Sequence, residues 1–149
     1  MPKPSPRLAI GLVVAVALSM LACDANGSSP GTTPEMTAAA DLAGTSWTIV
    51  SVGGVPAAAA APATLVFDAG RRVTGSTGCN SLNGAYSVDG PSLAFGPLAT
   101  TRRACEPPLM EQETAVLDAL AGVAGWEVDD EGRLHLTGAA ELVLAPTGP

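Results

Sequence analysis

Cys79 sits in Gly78-Cys79-Asn80, with Asn83-Gly84 just downstream. A thiol on a tight turn beside an amide side chain could be a nucleophile, a metal ligand or half of a disulfide. Nucleophilic use needs a base, normally a histidine within hydrogen-bond reach. The chain has a single histidine, His135, which stands between Leu134 and Leu136 in the run RLHLTG. Strand alternation turns His135 to the face opposite those leucines, most simply toward solvent. A zinc site would need more nitrogen or sulfur ligands, at a recognised spacing, than these residues supply. No nucleophile–base pair and no pair of carboxylates stands out. The chain therefore reads as non-enzymatic, with no cofactor and no metal.

The other cysteines are Cys23 and Cys105. Lys3 and Arg7 lead into the apolar run Ile10 to Ala22, which ends at Cys23. A charged start, an apolar middle and a small residue before the cut make a secretory signal over residues 1–22. The run is short for a bilayer span, which takes about 20 apolar residues. Ser19-Met20-Leu21-Ala22-Cys23 resembles a bacterial lipobox, in which the cysteine thiol takes a diacylglyceryl group and becomes the new N-terminus. Met20 and Leu21 stand where Leu and a small residue are commoner, and the alternative is an ordinary signal peptide with a chance cysteine. Two or three acyl chains, at about 0.8 kcal/mol per buried methylene, would hold a protein stably on a membrane. The expectation is a palmitate-bearing Cys23, with the domain on the extracytoplasmic side of the bacterial cell membrane. Cys79 and Cys105 are then an even pair outside the cytoplasm, ordinarily a disulfide. The alternative is two small thiols packed in the core.

Net charge is −7 over 149 residues. Removing Lys3 and Arg7 with the signal leaves five basic residues, all arginines, against 14 acidic ones, a net −9. Such a balance excludes nucleic acid as a partner, because phosphate binding needs clustered basic contacts. It also excludes a broad electrostatic hold on anionic lipid, so attachment falls to the acyl chains.

The elements that would position these residues follow from pattern. Residues 23–41 are rich in Gly, Ser, Thr, Pro and Ala, and read as a flexible tether. From Leu42 onward short strands alternate with turn residues: 45–52, 63–68, 71–77, 85–88, 92–95 and 98–104. Asp89-Gly90 is a hairpin signal, and the stretch after Gly53-Gly54 reads as a connector. Residues 107–122 change to helical spacing, with Leu109, Met110, Val116, Leu117 and Leu120 on one stripe. Pro107 and Pro108 suit the first turn, early glutamates the dipole, and Gly122 the end. Strands over 126–130, 133–138 and 141–145 close the chain. Many short antiparallel strands with one late helix predict a small α+β domain with a curled or barrel-like sheet. Trp47, Phe67, Phe95 and Trp126 are expected in its core.

The run from Gly75 to Leu120 resembles the META domain family, that of HslJ-type heat-shock-associated lipoproteins. The residues that carry the resemblance are Gly78-Cys79-Asn80, Gly84, Tyr86, Gly90, Leu93, Phe95-Gly96-Pro97-Leu98, Thr101-Arg102, Ala104-Cys105 and Met110-Glu111. Leu42, Gly44, Thr45 and Trp47 before them fit too, as do Leu134, Leu136, Glu141 and Leu142 after. The resemblance covers about residues 42–146 and leaves 147–149 as a tail. It implies a compact antiparallel β domain with one helix, exported, often lipid-anchored and tied to stress responses, and it supplies no catalytic residues. Arg103 stands where related sequences often carry a hydrophobic residue such as Met, which puts its burial in question.

Two roles follow for the Gly-Cys-Asn region. Its glycines and asparagines can shape a turn, or Asn80, Asn83, Arg102 and Arg103 can line a polar patch near the cysteines. Two functions follow for the chain. One is a lipid-anchored envelope protein with a non-enzymatic binding or structural role in stress tolerance, acting through an unknown protein or ligand. The other is a carrier or chaperone-like module that takes a hydrophobic ligand or a secreted-protein tail into a barrel cavity.

Overall fold

The computed structural model describes residues 41–148. The expected export signal, Cys23 and nearly all of the expected tether lie outside the described residues.

Strand β1 (Thr45–Val52) opens the domain, and its β-branched and aromatic residues favour extended backbone. Trp47 and Ile49 face inward by alternation. A bulge between Ile49 and Ser51 then adds a residue, so that Val52 rather than Ser51 is buried. Gly53 and Gly54, both at positive φ, turn the chain into β2 (Val55–Pro56). This short strand falls in the stretch expected to be a connector. β3 (Thr64–Phe67), β4 (Arg72–Ser76), β5 (Ser81–Asp89) and β6 (Ser92–Phe95) continue as a meander. β7 (Ala99–Thr100), helix α1 (Pro107–Ala121), β8 (Val123–Val128), β9 (Leu134–Gly138) and β10 (Leu142–Pro146) complete it.

The strand order is β1-β3-β4-β5-β6-β8-β9-β10, every pair antiparallel, and β10 pairs back onto β1. The result is an eight-strand up-and-down barrel with one late helix. Closure runs from Trp47↔Pro146 to Val52↔Leu142, which removes the exposed edges an open sheet would carry. The interior is filled from all eight strands, by residues that include Ile49, Leu65, Phe67, Val73, Leu82, Leu93, Leu134, Leu136, Leu142 and Leu144. Phe67 meets Tyr86 edge-on at 5.0 Å, and Tyr86 Oη donates to the Asp68 carbonyl at 3.0 Å. Burial pushes the Tyr86 phenol above its ordinary pKa. Trp47 is buried, whereas Phe95 and Trp126 sit half-buried at the margin.

Helix α1 packs on β1 and β6. Those strands stand four places apart around the eight-strand ring, so a helix touching both lies across one end of the barrel. It buries Val116, Ala119 and Leu120 there. The expected stripe needs correction: Met110 is exposed, Leu109 and Leu117 are half-buried, and Ala119 joins the buried face. The dipole argument also changes, since Glu106 at the N-cap makes no side-chain cap and the first turn holds no acidic residue. Two strands differ as well. β5 begins at Ser81 rather than Ala85, because its first half pairs with β4 and β7 while its second half pairs with β6. The expected strand over 98–104 shrinks to β7, beyond which the Thr101 N–H still reaches the Ser81 carbonyl and Arg103 is held by the Asn80 side chain.

Candidate functional site

Thr77 to Asn80 form the turn between β4 and β5, at the barrel end that α1 crosses. Gly78 takes φ +96°, and a Cβ there would come within 2.5 Å of Gln112 Nε2 and 2.6 Å of the Ala61 carbonyl. Only glycine meets both demands. Cys79 is joined to Cys105, with Cα atoms 6.0 Å apart. The bridge spans a sequence separation of 26 residues, and closing such a loop stabilises by about 3–4 kcal/mol on the chain-entropy account. A bridged sulfur is not a nucleophile.

Asn80 is 1% exposed, and its amide is fully used. Nδ2 donates to Glu113 Oε2 at 2.9 Å and to the Arg103 carbonyl at 3.1 Å. Oδ1 accepts from Thr101 Oγ1 and from the Arg103 N–H, both at 2.8 Å. Thr77 Oγ1 accepts the Asn80 N–H at 2.9 Å and gives its one proton to Glu113 Oε2 at 2.6 Å. Beside it, Gln112 Nε2 donates to the Thr77 and Ala61 carbonyls, and its Oε1 accepts the Ala58 N–H at 2.7 Å. One turn of α1 thus pins the β4–β5 turn and the loop before β3. A buried amide with every donor and acceptor engaged has no capacity left for a ligand.

The proposed patch residues separate. Arg103 joins Asn80 through its backbone, and its Nη2 donates to the Cys79 carbonyl at 2.7 Å while the residue stays exposed. That answers the question of its burial. Asn83 and Arg102 lie exposed, and among the described residues neither side chain has a hydrogen-bond partner. Thr77, Thr101, Gln112 and Glu113 belong to the network and escaped sequence reading. The one available signal was an adjacent Gln-Glu pair on an otherwise apolar helix face.

His135 faces away from the leucines, yet it is not loose. Nδ1 bonds Glu141 Oε1 at 2.9 Å and Nε2 bonds Asp129 Oδ2 at 3.0 Å, leaving the side chain 19% exposed. Glu141 first, then Asp129, raise its pKa above the ordinary histidine value. The Arg133 backbone N–H, then the His135 side chain, lower that of Asp129. Both nitrogens thus face carboxylates, and in the protonated form each donates to one of them, so the imidazolium has no lone pair for proton abstraction or metal binding. Among the described residues no group of three or more His, Cys, Asp or Glu is arranged to hold a metal ion.

A cleft of about 340 Å³ opens between the β1–β2 hairpin and the first half of α1. Val52, Val55, Pro56, Ala57 and Ala58 form one wall, and Pro108, Glu111, Gln112 and Ala115 the other. A second depression lies between β6 and β8, where the ladder is a single pair, Ser92↔Gly125. A third lies between α1 and the β6–β7 turn.

The META domain family model matches residues 40–147. Among solved structures, an NMR structure of a protein from Burkholderia xenovorans is similar at 28% identity and TM-score 0.61, over 72% of this chain and 85% of that one. A second NMR structure matches at 25% identity and TM-score 0.60, over 73% and 94%. A DUF4847 family protein from Bacteroides vulgatus shares the fold at 15% identity and TM-score 0.56, over 70% and 94%. No curated protein matches the chain.

Proposed function

The chain belongs to the META domain family, and from that premise we propose an exported, lipid-anchored, HslJ-type protein with a non-enzymatic role in envelope stress tolerance. A barrel of this family is compatible with a binding or structural role. The observation that carries the reading is the filled interior: Leu65, Phe67, Val73, Leu134, Leu136 and Leu142 are all fully buried. Space inside for a hydrophobic ligand or a secreted tail would require moving several of them, at about 2–5 kcal/mol for each large side chain lost. Binding therefore belongs to the outer surface of a rigid scaffold. Cys23 supplies the anchor, and the acidic domain stands off the membrane.

The test is complementation of a deletion strain under heat and detergent stress. The wild-type chain should restore survival and take up radiolabelled palmitate, and Cys23→Ala should do neither. A deletion strain as robust as its parent removes the stress role. Equal labelling of Cys23→Ala removes the anchor. Reproducible turnover by the purified protein, abolished in Cys79→Ser, would show it to be an enzyme after all.

A further inference from the structure

The scaffold does not account for the cleft between the β1–β2 hairpin and α1. Pro108, Glu111 and Ala115 recur at helical spacing on a face of α1 beside the one that buries Val116 and Leu120. Opposite stand Val55, 67% exposed, and Pro56. We propose that this cleft docks a basic amphipathic helix of a partner polypeptide, with its apolar side chains between hairpin and helix and a Lys or Arg on Glu111.

Size, backbone chemistry and charge each narrow the occupant. A volume of about 340 Å³ is at the low end for ligand sites, roughly 300–1,000 Å³. It suits a pair of large side chains rather than a long acyl chain. From Pro56 to Ala58 the hairpin has no free N–H to offer an added strand. Pro56 has no N–H, the Ala57 N–H is given to the Val50 carbonyl at 2.9 Å, and the Ala58 N–H goes to Gln112. Recognition must then run through side chains, as in helix-in-groove docking.

Charge decides the rest. Among the described residues the Glu111 carboxylate has no ion-pair partner, and α1 carries Glu111, Glu113 and Asp118 with no basic residue. The described domain holds twelve acidic side chains against five arginines. A second copy would bring its own acidic helix and be repelled, as would an anionic membrane surface. A cationic helix is attracted. Gln112, committed to Ala58, Ala61 and Thr77, holds the two walls at a fixed separation, so little ordering is lost on docking.

The proposal deepens the binding reading above, and its failure would leave the palmitate and survival results of that reading untouched. The probe is a fluorescein-labelled synthetic peptide with Leu at helical spacing and Lys elsewhere, titrated into the full chain by anisotropy. Glu111→Gln should weaken binding about two- to five-fold, the range of a single exposed ion pair. Val55→Asp should weaken it about ten-fold or more, as for a central apolar anchor. Val66→Asp, exposed on β3 away from the cleft, should leave Kd unchanged, and all three variants should melt like the wild type. No binding of the Leu/Lys peptide overturns the proposal. So does wild-type affinity in either cleft variant, or equal binding by a Leu/Glu peptide or by a shuffled Leu/Lys sequence.

Discussion

At the scale of the residue, Asn80 shows what a Gly-Cys-Asn triplet is for in this barrel. Its amide collects Thr101, Arg103 and Glu113 from 21 to 33 residues away. Replacing it with Ala would strand the Thr101 hydroxyl, the Arg103 N–H and part of the Glu113 carboxylate. Asn80→Ala should therefore cost about 2–4 kcal/mol in urea unfolding. Asn80→Asp keeps the shape but sets a second carboxylate against Glu113. It should destabilise at neutral pH and recover as acid protonates one of the pair; a pH-independent loss would contradict this account. The turn-forming character of Gly78 and the pairing of the cysteines were legible in the sequence. Burial of Asn80 was not, because an asparagine in a glycine-bearing turn usually means a local turn bond, and its partners lie across the fold.

At the scale of the element, His135 ties the ends of β8, β9 and β10 together. Asp129 and Glu141 hold it from either side, Arg133 shares Asp129, and Glu127 and Val143 lie directly across on the neighbouring strands. Its folded pKa is raised, so its stabilisation is complete below the unfolded value of about 6.5 and fades as pH rises through the higher folded value. Asp129 works the other way. Its lowered pKa gives stability above its unfolded value of about 3.9, lost as pH falls through the lower folded value. Melting temperature should thus decline from pH 6 toward pH 9 in the wild type, and that decline should flatten in His135→Gln. Parallel wild-type and variant profiles would refute the clamp. Alternation placed His135 on the outer face, but only strand register brings the two carboxylates to it. The same limit applies to α1: helical spacing marked both Met110 and Leu120, and only the position of the barrel rim chose between them.

At the scale of the whole molecule, each barrel strand pairs with its chain neighbours and the ring is closed by β1 on β10. Thr147 donates its N–H to the Ser46 carbonyl at 2.9 Å, so the domain's two ends lie side by side. A circular permutant that links residue 148 to 42 and opens the chain at Asp89-Gly90 should fold with near wild-type circular dichroism. Deleting β10, which leaves β1 and β9 with bare edges and removes Leu142 and Leu144 from the core, should abolish cooperative melting. A permutant that fails to fold would mean that the Asp89-Gly90 turn is needed to set register. The sequence by itself determined the alternation of short strands, the late helix, the acidic balance and the two cysteines that flank the strands before it. Those properties are local or additive, and period, turn chemistry and residue counts express them directly. Only the tertiary structure decided that the sheet closes, that α1 crosses one end, that Asn80 is a buried hub, and that an apolar cleft stands between hairpin and helix. Each of these depends on residues far apart in the chain being brought together, and pairing across such distances is fixed by core packing and strand register rather than by any local run of residues.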